Sequence, residues 1–154
     1  MKGLKWGVVV IALLGLVVFN FLALVGVEKS FELPTLSVVF YEEGQSSSFE
    51  TSEVSIKGHI QDRLLLSDRF KGEMLVDGES WFDETSSCVI VQKEAGYVLW
   101  PETKIHQGSL YVSKQLDALY YIESDSLNRL AGTATSREEA IQARDNLMLQ
   151  FYEQ

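Results

Sequence analysis

Residues 69–82 read RFKGEMLVDGESWF, and this stretch decides the fold class. Two runs, Arg69–Val76 and Glu79–Phe82, flank the pair Asp77-Gly78. A two-residue type I′ turn needs positive φ at both central positions, and Asp-Gly meets that need at low cost. The spacing therefore predicts a β-hairpin.

The β signal continues on both sides of the hairpin. Upstream, Val54, Ile56 and Ile60 alternate with Ser55, Lys57 and His59. A period of two marks a half-buried strand, and Gly58 takes an inward position where the chain bulges or another segment comes close. Leu36–Tyr41 is rich in β-branched and aromatic residues, as strands are. Between these strands and the hairpin, 62–68 reads DRLLLSD, a connection whose leucines are expected to plug one end of the core. Downstream, Cys88–Gln92, Tyr97–Trp100, Ser109–Ser113 and Ala118–Glu123 are further runs, separated by turn residues.

The period then changes. Ser136-Arg-Glu-Glu139 is a capping box, with the Ser hydroxyl on a backbone N–H and Glu139 reaching back. Ala140, Ile141, Leu147, Met148 and Phe151 fall near one helical face. The expected domain, residues 36–154, is thus mainly β. It should hold about seven antiparallel strands in a sandwich or partly open barrel, with one C-terminal amphipathic helix at about 136–152.

Ahead of this domain lies WGVVVIALLGLVVFNFLALVGV, residues 6–27, without a charge. As a helix it would extend roughly 33 Å, enough to cross a bilayer core of about 30 Å. It is expected to be a transmembrane helix in contact with lipid. Lys2 and Lys5 precede it and Lys29 follows, so residues 1–5 should be cytoplasmic and the C-terminal domain outside the cell membrane. A cleaved secretory signal is the competing reading. The apolar run is longer than such signals need, and its end has no clean pair of small residues. The single cysteine, Cys88, rules out a lipoprotein-type anchor. Asn20 has two readings: an amide bonded to backbone, or a hydrogen bond to a partner helix. Gly7, Gly15 and Gly26 form no small-xxx-small face. Residues 28–35, with Pro34, read as a short spacer.

Charge narrows the partners. The chain carries −9, and beyond residue 27 there are 11 basic and 22 acidic residues, a charge of −11. Nucleic acid needs basic patches, so it is not an expected partner. One cysteine makes no internal disulfide, and Cys88 sits in an apolar run suited to a buried small residue. The patterns of serine hydrolases, penicillin-binding enzymes, zinc proteases, P-loops and dinucleotide folds are missing. His59 and His106 are isolated. No metal and no cofactor are expected. Carboxylates are plentiful, namely Glu42, Glu43, Asp62, Asp68, Asp77, Asp83, Glu84, Asp117, Glu123 and Asp125, but most of them lie at expected turns, where Asp also stabilises the backbone.

Aromatic residues are the best functional lead. Trp81, Phe82, Tyr97, Trp100, Tyr111, Tyr120 and Tyr121 cluster in the second half of the β region. Adjacent pairs such as Trp81-Phe82 and Tyr120-Tyr121 should point to opposite faces, so some rings should lie outside the main core unless the helix covers them. Trp81, Trp100, Tyr111 and Tyr120 are the candidate ligand or partner surface. No catalytic residue is assigned.

Three pieces carry a resemblance: Gly58 with Phe70-Lys-Gly72, then Gly108-Ser-Leu-Tyr-Val-Ser-Lys114, then Ser136-Arg-Glu-Glu-Ala140, all behind one N-terminal apolar helix. In this order they resemble small uncharacterised membrane-anchored extracytoplasmic proteins of bacilli and their relatives. The resemblance implies an extracytoplasmic location and carries over no site residues. The leading expectation is a membrane-tethered binding or scaffold module without catalytic activity, with an envelope protein or glycan as its partner. The alternatives are an envelope-polymer hydrolase using turn carboxylates, and an accessory subunit of a larger membrane complex.

Overall fold

A computed structural model of the chain describes residues 2–44, 49–82, 87–101, 108–124, 126 and 128–152. It is mainly β, with an apolar helix at the N-terminus and a second helix at the C-terminus. Helix α1 (Lys2–Leu24) leads through one turn into strand β1 (Val27–Glu42). Then come β2 (Phe49–Asp62), β3 (Arg69–Val76), β4 (Glu79–Phe82), β5 (Ser87–Gln92), β6 (Gly96–Pro101), β7 (Gly108–Ser113), β8 (Leu119–Glu123), β9 (Asn128–Gly132) and helix α2 (Arg137–Tyr152).

The order β2-β1-β9-β8-β7-β6-β5-β3 closes on itself because β3 also pairs with β2. Eight antiparallel strands therefore form an up-and-down barrel. β4 is the ninth strand: β3 gives one end of its second edge to β5, at Arg69–Lys71, and the other end to β4, at Met74–Val76. Asp77 and Gly78 have φ of 53° and 80°, the type I′ signature expected of the hairpin.

Sequence left a sandwich and a partly open barrel undecided, and β9 is the reason. Its residues NRLAG show no strong period, yet they pair with β8 on one side and β1 on the other. Without β9 the sheet would stay open between Tyr41 and Ile122. The first half of β1 was also hidden. Residues 28–35, read as a spacer, lie inside β1 and pair with β2 from Val27↔Asp62 onward. Pro34 falls where the register shifts, between Leu33 and Leu36, so its missing N–H interrupts no regular ladder.

The interior is filled. Phe31, Leu33, Ile56, Phe70, Met74, Leu99, Leu110 and Leu130 are all buried in one cluster with Cys88. Eight strands leave an interior just wide enough for side chains. Each large apolar side chain removed from water contributes about 1.5–3 kcal/mol. The rings meet edge to face: Phe31 lies 5.5 Å from Phe70 and 5.1 Å from Tyr97, and Phe70 lies 6.2 Å from Phe82. A second cluster lies on the outer wall, where α2 lays Ala140, Leu147 and Phe151 over Val39, Val98, Tyr120 and Ala131. Ser136 caps α2 by accepting the Glu139 N–H at 3.2 Å. The Glu139 carboxylate returns to the N–H and hydroxyl of Thr135, both at 2.8 Å, one residue earlier than a standard capping box requires.

The leucines of the 63–68 connection do not plug the core. Leu64, Leu65 and Leu66 are exposed, because Asp68 accepts the Arg63 N–H at 2.9 Å and closes the loop at its base. Phe31, Phe70 and Tyr97 fill that end of the barrel instead.

Candidate functional site

Barrel alternation decides where each aromatic ring points. On β6, Tyr97 and Leu99 face the interior, and Val98 and Trp100 face outward. Val98 sits opposite Tyr111, which sits opposite Tyr120. That row runs beneath α2. Tyr120 is buried there, and Tyr111 is half-buried, with its ring 6.4 Å from Tyr120 and 5.4 Å from Phe151. Tyr120-Tyr121 split across the wall as alternation demands: Tyr120 belongs to the cluster under the helix and Tyr121 to the interior.

Trp81-Phe82 do not split. The β3–β4 register shifts between Met74 and Leu75, so Phe82 pairs with Met74 and reaches Phe70. Trp81, half-buried, still packs on the interior cluster, 5.5 Å from Tyr121. This pair sits toward the barrel end away from α1, since β4 borders the last residues of β3 and Tyr121 precedes the end of β8. The structure thus brings Tyr111 and Tyr120 together and places Trp81 elsewhere.

Trp100 lies on the outer face one step beyond the row under α2. It is 42% exposed, and its indole N–H donates to Ser109 Oγ at 2.9 Å, which fixes the ring against the wall. Ser109 is opposite Ile122, Ile122 is opposite Arg129, and Arg129 is opposite Tyr41. A ledge from Arg129 through Ile122 and Ser109 to Trp100 therefore runs along one flank of α2. At its Arg129 end, Glu43 accepts from Arg129 at 2.9 Å and lies 3.7 Å from Arg144 of α2. Close to Tyr111 stands Tyr152, 76% exposed, which sequence reasoning missed because it follows the apolar face of α2. Burial raises the Tyr111 hydroxyl above its usual range, and nearby Tyr152 adds to this. Burial also pushes Tyr120 up to about 12 and, beside Glu123, Tyr121 up to about 12.

On the opposite flank, α2 and the β7–β8 turn border a polar groove of about 650 Å³ lined by Ser113, Asp117, Thr133, Asn146 and Gln150. Asp117 is occupied in holding that turn: Ser113 Oγ donates to it at 2.6 Å and accepts the N–H of Asp117 and Ala118, each at 3.1 Å. Other carboxylates are engaged in the same way. Asp77 accepts the Glu53 N–H, Asp62 pairs with Lys29, and Glu123 accepts from Asn128. His59 is exposed on β2, and His106 lies outside the described residues, as do Asp83, Glu84 and Asp125. Among the described residues no three His, Cys, Asp or Glu side chains group as metal ligands. Cys88 is buried in the barrel interior.

Helix α1 is the other outstanding feature. Its stretch Gly7–Leu24 is long and apolar enough to cross a membrane, and only 6% of it is buried. Ile11 is 71% exposed and Val17 65%. Within it, the Asn20 amide donates to the Leu16 carbonyl at 2.7 Å, which satisfies its polar group inside the helix. No family model, no curated protein and no solved structure matches the chain.

Proposed function

We propose that the chain is a membrane-tethered binding or scaffold module without catalytic activity, held outside the cytoplasmic membrane by α1. The observation that carries this reading is the bare apolar surface of α1. Water around so long an exposed apolar helix is costly, and the barrel covers only its last turn, at Leu22 and Ala23. A bilayer supplies that cover and asks for a helix of this length. The basic residues Lys2 and Lys5, in the first turns of α1 and ahead of its apolar stretch, favour a cytoplasmic N-terminus.

The partner is an envelope protein or glycan held on the Arg129–Trp100 ledge. That ledge sets an exposed indole, fixed by the Ser109 hydroxyl, in line with a guanidinium paired to Glu43 on a rigid wall, and Trp and Arg are enriched in recognition surfaces. The filled interior and the turn-bound carboxylates favour recognition on the outer wall over chemistry within a cleft. The test is made in bacterial cells carrying the full chain. It should stay in the membrane after carbonate washing, and protease added outside should remove the barrel. Crosslinking from the ledge should capture one reproducible envelope component, and Trp100→Ala should abolish that capture. A barrel protected from outside protease would overturn the orientation, and capture unaffected by Trp100→Ala would overturn the site.

A further inference from the structure

The membrane-proximal end of the barrel carries a second apolar projection beside α1. Leu64, Leu65 and Leu66 stand exposed at 61%, 66% and 46% on the loop joining β2 to β3. Three consecutive solvent-facing leucines on a held loop call for a cover. The loop is braced at its base. Arg63 donates its backbone N–H to Asp68 and its guanidinium to the Ser67 carbonyl, which leaves only the leucines at the tip.

Position says what covers them. The Leu64 N–H donates to the Leu22 carbonyl at 3.3 Å. Leu22 belongs to the last turn of α1, about 3 Å along the axis before its final residue. Gly26 then packs directly on Asp62 and Arg63: a Cβ there would meet the Asp62 carbonyl oxygen at 2.6 Å. So the root of the loop lies level with a residue of the spanning helix. Leu24, Val25 and Val27, also exposed, continue the apolar surface around this junction.

We propose that the Leu64–Leu66 tip inserts into the acyl–headgroup boundary of the bilayer leaflet from which α1 emerges. The barrel then touches the membrane at two points, and its tilt is set. The apolar tip supplies the buried area that interfacial binding scales with, and Arg63 sits at its root, at headgroup level. This inference rests on the reading of α1 as a membrane span.

The test uses the full chain in vesicles of phosphatidylethanolamine and phosphatidylglycerol. Spin labels are placed singly at Leu65→Cys, Leu66→Cys, Val17→Cys and Glu53→Cys; Cys88 is buried and stays in place. Accessibility to oxygen, which concentrates in lipid, is compared with accessibility to a water-soluble nickel complex. The expected result is a several-fold higher oxygen-to-nickel ratio at Val17 and at both loop positions than at Glu53. A lipid signature at Val17 with water-like labels at Leu65 and Leu66 would overturn the loop insertion and leave the span intact. A water-like Val17 would overturn the span itself. Strong label-to-label broadening at Leu65 and Leu66 in lipid would assign the tip to a second copy of the chain, again against insertion. Leu66→Cys keeps the test open should Leu65→Cys fold poorly.

Discussion

Gly58 and Gly72 face each other across the β2–β3 pair, and the ring of Phe70 lies over both. A Cβ on Gly58 would come within 2.2 Å of the Lys71 carbonyl oxygen and 2.8 Å of Phe70 Cζ; one on Gly72 would meet the same ring carbon at 2.6 Å. The two missing side chains make room for one large aromatic ring inside the barrel.

Gly58→Ala should therefore destabilise the barrel by about 1–3 kcal/mol, the range of overpacked interiors. Phe70→Leu on its own should also destabilise, by leaving a void. In the double variant the smaller side chain should recover part of the first loss. Urea unfolding of the three variants in detergent measures the coupling, and simple additivity would contradict the shared space.

Leucines at two places should behave in opposite ways. Leu110 is fully buried in the interior, so Leu110→Ala should cost about 2–5 kcal/mol. Leu65→Ala, at the exposed tip, should change the unfolding of the detergent-solubilised chain by less than about 0.5 kcal/mol. Paired urea titrations check this, and a large loss at Leu65 would mean that the tip packs on protein.

Stability should fall at both pH extremes for separate reasons. The Thr135 N–H and hydroxyl hold the Glu139 carboxylate below its usual range. A depressed pKa gives stability that is present above the unfolded value and lost as pH falls through the folded one. Fraying at the start of α2 should thus appear in acid below about pH 4.5, and Glu139→Gln should remove that dependence. Tyr120 and Tyr121, neutral in the folded barrel up to about 12, ionise near 10 once unfolded. Their contribution is complete below pH 10 and lost as pH rises towards 12. Ultraviolet difference titration should show these two phenols ionising late, together with unfolding.

Trp100→Ala should leave the fold within about 0.5 kcal/mol of the parent, because its ring is exposed and only the Ser109 bond is lost. It should also remove the fraction of tryptophan fluorescence most readily quenched by acrylamide, since Trp81 is shielded against Tyr121 and Trp6 opens the stretch read as the membrane span. Unchanged quenching would mean that α2 or a partner already covers Trp100.

Much of this architecture can be read from residue order. The Asp77-Gly78 turn, the alternation around Val54 and Ile56, and the Ser136 cap are local signals, and each acts within a few residues of itself. Barrel closure is not local. It depends on Asn128–Gly132, whose polar and small residues are chosen by neighbours on both sides: Leu130 faces the interior, and Ala131 lies under α2. The spacer became strand because Gly26 turns the chain straight onto the end of β2. The candidate aromatics divided for similar reasons. A register shift beside Met74 turned Trp81 inward, and the path of α2 over the wall decided which of Trp100, Tyr111 and Tyr120 stayed uncovered. Tyr152 carried no signal, since its exposure follows from where the helix stops.

The two-residue hinge between α1 and β1, Val25-Gly26, has a mechanical outcome. With Gly26 seated on Asp62 and no slack before the first strand, the barrel cannot swing out on a leash to search the periphery. On the proposed reading of α1 as a membrane span, the ledge would keep a fixed height above the lipid, and anything bound there would have to reach that level.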